Sequence, residues 1–103
     1  MFKLQPNPTF KAKVSIVIPG QEKPAHVEME FKYITRSQRA ECFEAAVEKT
    51  DLENVMQIVV GWAGVDAAFS AESMETLLDN YPSAARGIFD AFNREYFEAR
   101  AKN

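Results

Sequence analysis

The sequence predicts an α+β fold, an N-terminal antiparallel β-hairpin packed on about four α-helices. Three observations carry that expectation. Apolar and polar residues alternate through residues 10–18 and again through 25–33, with Pro19-Gly20 between the two runs. Helix-start signals then follow at Thr35, Thr50 and Ser70. Beyond them, apolar residues recur at three- and four-residue spacing, the period of a helix face rather than of a strand.

Residues 1–9 hold Pro6 and Pro8 and no periodicity, so they read as an extended arm. Residues 10–103 read as a single α+β domain, a size that suits one modest core. In the first strand Phe10, Ala12, Val14, Ile16 and Ile18 face one way and Lys11, Lys13, Ser15 and Val17 the other. In the second, Ala25, Val27, Met29, Phe31 and Tyr33 oppose His26, Glu28, Glu30 and Lys32. Pairing Phe10 with Phe31, Ala12 with Met29 and Val14 with Val27 also sets Lys11 against Glu30 and Lys13 against Glu28. That register leaves Pro19–Glu22 as a four-residue turn. An isolated hairpin is marginal in water, so its apolar face needs a cover, which the helices downstream supply.

Thr35-Arg36-Ser37-Gln38 has the form of a capping box and opens a helix to about Lys49, with Cys42, Phe43, Ala46 and Val47 as its apolar stripe. Thr50-Asp51-Leu52-Glu53 is a second box. Leu52, Val55, Met56, Val59 and Val60 follow at helical spacing. The β-branched Ile58-Val59-Val60 favours a short buried strand instead, but cap and period together predict a helix. Ser70 is a good N-cap, with Phe69 placed to staple onto Met74; Met74, Leu77 and Leu78 point inward. Asn80-Tyr81 breaks this third helix. Pro82 suits the first position of a fourth, on which Ala85, Ile88, Phe89, Phe92 and Tyr96 form a long stripe. Arg100 and Lys102 put positive charge where a helix C-terminus favours it.

Between these helices, Gly61-Trp62-Ala63-Gly64 holds the chain's single tryptophan between two glycines. Glycines free the backbone to turn and tryptophan brings a large apolar surface. Trp62 is therefore expected to be largely buried, anchoring the turn between the second and third helices.

Composition excludes several function classes. No apolar run approaches the roughly 18 residues that span a bilayer, and residues 1–8 lack the apolar stretch of a signal peptide. A formal net charge of −3 and scattered basic residues disfavour nucleic acid and anionic membranes. With one cysteine, Cys42, and one histidine, His26, neither an internal disulfide nor a cysteine-built zinc site can form. His26 and Glu28 share a polar strand face and read as a solvated pair; Cys42 reads as a small buried hydrophobe. Asp66, Glu72, Asp79 and Asp90 lack calcium-loop spacing. No phosphate-binding loop follows Gly61 and Gly64. The chain is expected not to be an enzyme and to need no cofactor or metal. The aromatics are the better lead: Phe89, Phe92, Tyr96 and Phe97 crowd the last helix, and one face cannot bury them all. The edge around Phe92, Tyr96 and Phe97 is the candidate partner contact.

Val59-Val60-Gly61-Trp62-Ala63-Gly64-Val65-Asp66, then Phe69-Ser70 opening a helix that reads Leu77-Leu78-Asp79-Asn80-Tyr81-Pro82, follow the hairpin and precede the aromatic helix. This order resembles the small tail assembly chaperones of long-tailed bacteriophages and prophages. The resemblance covers residues 10–103 and is sharpest over 59–66 and 77–86. It implies a non-enzymatic protein of the host cytoplasm that keeps the long tape measure protein soluble while tail tube subunits polymerise round it. It also implies contact with tail tube protein through a longer, frameshifted form, this sequence matching the short one. A homo-oligomer is compatible with it. Gly61, Trp62, Val65, Asp66, Tyr81 and Pro82 match recurring positions of the family, where the resemblance implies a role in holding the fold. The rival reading is a generic helical protein-interaction adaptor without catalytic activity.

Overall fold

Charge and apolar patterning set the hairpin register as expected. In the computed structural model, which describes residues 1–98, β1 (Thr9–Ile16) and β2 (Ala25–Lys32) pair antiparallel. Phe10 lies opposite Phe31, Ala12 opposite Met29, Val14 opposite Val27, Lys11 opposite Glu30 and Lys13 opposite Glu28. The connection is longer than the expected four residues, running over residues 17–24 and closed by the Gln21 amide donating to the Ile18 carbonyl at 3.0 Å. The next rung would set Val17 against Pro24, which has no N–H to give the ladder. Among the described residues neither Lys–Glu pair closes to ion-pair distance; Glu30 accepts the Thr9 hydroxyl at 2.6 Å instead.

Both threonine capping boxes form. Gln38 donates its amide to Thr35 Oγ1 at 3.1 Å and returns Oε1 to the Thr35 amide at 2.8 Å. The Thr50–Glu53 pair does the same at 3.1 and 3.0 Å. The first box opens α1 (Arg36–Ala45), which ends in a 3₁₀ turn over Ala46–Glu48 rather than continuing to Lys49. Tightening that turn rotates Val47 off the expected stripe; Val47 is exposed, Cys42 is half-buried, and α1 holds no fully buried residue.

The helix expected over residues 52–60 is the main correction. α2 (Asp51–Met56) is short, and β3 (Val59–Ala63) follows it as a third strand on the free edge of β2, giving the antiparallel order β1-β2-β3. Two preferences outweigh the helical period: β-branched residues suit a pleated surface, and β2 otherwise leaves a row of unpaired backbone groups. Gly61 faces Glu30 and Trp62 faces Met29, but Val59 faces Phe31, so Val60 is the extra residue of a bulge. This register puts Trp62 on the apolar face with Met29.

α3 (Ala71–Asn80) starts at Ser70 as expected, with Met74 fully buried. Its box is closed by Ser73, whose hydroxyl also donates to the Ala68 carbonyl at 2.7 Å. α4 (Ala84–Glu98) begins two residues after Pro82, which lies instead in a turn closed by the Ala84 amide on the Tyr81 carbonyl at 2.9 Å. The charges expected at its end, Arg100 and Lys102, lie outside the described residues.

α4 lies along β1 at very close range. A Cβ at Gly87 would collide with the Ser15 carbonyl oxygen. About two turns further on, Arg94 Nη2 donates to the Lys13 carbonyl at 3.2 Å. Together they shield the outer edge of β1, which would otherwise invite another strand. On the apolar face Phe10, Phe31 and Phe92 form a triangle with centroids 5.5–5.6 Å apart. Met29, Ile58, Met74 and Ile88 complete the centre of the core. No described helix is long and apolar enough to cross a membrane.

Candidate functional site

α3 packs chiefly on α2 and α4. This leaves an open cleft of about 880 Å³ between α3 and the far end of the hairpin. Ile16, Ala25 and Val27 of the hairpin strands, with Ile18 of their connection, form one wall. Ser73, Thr76, Leu77 and Asn80 of α3, with Tyr81, form the other. Trp62 joins the two, and residues 64–68 make a lip.

The tryptophan is held from three sides. β3 places it opposite Met29, its indole N–H donates to the Ala67 carbonyl at 2.9 Å, and Phe69 meets it edge-on at 5.3 Å. It is half-buried rather than largely buried, and it anchors the β3–α3 loop rather than a turn between two helices. The reason is the strand: a sheet residue with no helix directly above it keeps one face toward the cleft. Of the two flanking glycines only Gly64, at φ 79°, uses the freedom glycine gives. Gly61 is an ordinary strand residue, where a Cβ would meet Glu30 only at van der Waals distance.

The cleft is apolar on its hairpin side and polar along α3, where Ser73, Thr76 and Asn80 line it. Asp66 and Glu72 line it, and no Lys, Arg or His does. This is part of a wider segregation: between Thr50 and Ala85 the chain has no basic residue but carries Asp51, Glu53, Asp66, Glu72, Glu75 and Asp79. All the basic residues sit in the remainder, so the α2–β3–α3 side of the molecule presents a negative field that the net charge of −3 understates.

The second surface is the edge of α4 singled out by its aromatics. Phe92 is fully enclosed and belongs to the core. Tyr96 is half-buried, stacked on Phe92 at 5.4 Å, with its hydroxyl donating to the Ile34 carbonyl at 2.9 Å. Only Phe97 presents its ring to solvent, at 60% exposure. The Arg39 guanidinium, held by Asn93 Oδ1 at 2.8 Å, lies 4.1 Å from the Phe43 ring centroid and 4.7 Å from that of Phe97. Phe89 meets Phe43 edge-on at 6.1 Å. The aromatics of α4 thus mainly build the fold.

The other sequence candidates stay apart. His26 is exposed, its Nδ1 3.3 Å from Ser15 Oγ across the hairpin. Among the described residues no three His, Cys, Asp or Glu side chains gather to hold a metal ion. Glu53 is held below its ordinary pKa, first by the Thr50 backbone amide that it accepts, then by the Thr50 hydroxyl.

A family model described as phage tail assembly chaperone matches residues 1–103. The chain belongs to the phage tail assembly chaperone family. No curated protein and no solved structure matches it. Membership of that family implies partners among phage tail proteins. Four of the residues singled out in the sequence gather at one place: Trp62, Val65, Asp66 and Tyr81 all line the cleft. Gly61 precedes Trp62 on β3, and Pro82 directly follows Tyr81. Sequence reading found these residues but not the cleft. The signal that points to it is the 36-residue stretch without a basic residue, visible only when charge is counted by segment.

Proposed function

We propose that the chain is a holdase for the tape measure protein. It acts in the host cytoplasm, covering apolar helix faces of that long protein until tube subunits polymerise round it. A longer frameshifted form that recruits tail tube protein belongs to the same reading. The observation that carries it is a solvent-open cleft with one apolar wall and acidic lining residues, Asp66 and Glu72, on a chain of this family. Reversible association needs apolar contact area that the fold itself leaves uncovered; the cleft supplies it, and the exposed ring of Phe97 supplies a smaller second contact. With no nucleotide-binding loop in the sequence, release comes from competition by assembling tube subunits.

The test is co-expression with a phage tape measure protein, scoring the soluble fraction for wild type and for Phe97→Ala, whose fold is first checked by melting. Wild type should raise the soluble fraction. If neither form does, the holdase reading fails; equal rescue by both retains it and removes Phe97 from the contact.

A further inference from the structure

We infer that the cleft takes one particular kind of segment: an amphipathic helix with an apolar stripe and Lys or Arg along its margins. The inference rests on the holdase reading only in naming the tape measure protein as the source of that helix. Three features select this occupant. The cleft is bounded by a sheet face and the flank of a helix, Val27 and Trp62 on one side and Leu77 on the other. Both walls offer side-chain surface, the setting in which an amphipathic helix lays its apolar face into a groove. The hairpin side of the groove, Ile16, Ile18, Ala25 and Val27, is apolar, which matches the stripe. Its charged lining residues are Asp66 and Glu72, set in a segment without any basic residue. Basic margins on the guest therefore meet opposite charge, and acidic margins meet like charge.

Trp62 is the chain's single tryptophan and lines the cleft, so its fluorescence reports occupancy directly. The probe is a synthetic Leu/Lys amphipathic helix of about 18 residues, roughly five turns, free of tryptophan and tyrosine, with a Leu/Glu helix of the same pattern as counterpart. The basic peptide should shift Trp62 emission saturably, more weakly as salt rises, and the acidic one should not. Asp66→Lys with Glu72→Lys should slow association roughly tenfold. Glu41→Lys with Glu44→Lys, the same charge change on exposed positions of α1, should leave it nearly unchanged. Equal slowing by both pairs, equal binding of both peptides, or an unmoved Trp62 overturns the inference. So does a Trp62 shift that grows with protein concentration alone, because the occupant is then a second copy. If Trp62 stays unmoved while the tape measure protein is solubilised, the cleft inference fails and the holdase reading stands. If the basic peptide binds as described and the tape measure protein stays insoluble, the reverse holds.

Discussion

Gly87→Ala is a substitution for which two physical effects predict opposite signs. Inside an exposed helix, exchanging glycine for alanine stabilises by about 1 kcal/mol, because glycine gives up more backbone freedom on folding. At position 87 the new methyl would overlap the Ser15 carbonyl oxygen. That oxygen is backbone, on a strand held in place by its pairing with β2, so no flexible side chain can swing aside. Overpacking of this kind costs typically about 1–3 kcal/mol, and an overlap with fixed backbone belongs at the upper end. Subtracting the helix gain leaves a net loss of about 2 kcal/mol. For a domain of this size each kcal/mol moves Tm by roughly 4–8 °C, so Gly87→Ala should melt about 8–16 °C below wild type. The assay is thermal melting followed by circular dichroism at 222 nm. A variant that melts at or above the wild-type temperature would refute the close seating of α4 on β1.

Three further outcomes are expected. Trp62→Ala should lose about 2–4 kcal/mol in urea unfolding, less than a fully buried tryptophan would, because only part of the ring is covered. Gly61→Ala should be tolerated within about 0.5 kcal/mol, whereas Gly64→Ala should lose more than about 1 kcal/mol at its positive φ; equal effects would contradict the strand at Gly61. The Thr50–Glu53 cap predicts a pH dependence. A carboxylate held below its ordinary pKa contributes fully above the ordinary carboxylate range and loses that contribution as pH falls through the lowered value. The stability gap between wild type and Glu53→Gln should therefore be constant near neutrality and change only in acid; a gap that changes between pH 6 and 8 would argue against this cap.

Local signals in the sequence were strong where one effect dominates. The hairpin register follows from alternation and the Lys–Glu pairing, and the three caps follow from Thr35, Thr50 and Ser70. Residues 57–60 went astray because two effects compete there. The helical period from Leu52 is real, but the unpaired edge of β2 is a tertiary demand that no local window contains. Gly87 went unread for a related reason, since its role is a backbone contact with a strand 72 residues earlier. For the candidate site, the segments holding Trp62, Val65, Asp66 and Tyr81 stand out in the sequence, but their meeting point does not. Taking Trp62 as sheet rather than turn changes it from a buried anchor to a half-open wall. On the aromatic edge of α4, Phe92 fills the core and Phe97 is left to solvent, a division that helical spacing alone does not specify.

Hydrogen exchange on the co-expressed complex tests the central claim most directly. With the tape measure protein bound, amides of the β3–α3 loop and α3, residues 64–81, should gain protection relative to the free chaperone, while the outer edge of β1, already shielded by α4, should change little. Protection confined to other surfaces, with residues 64–81 exchanging as in the free protein, would contradict the account.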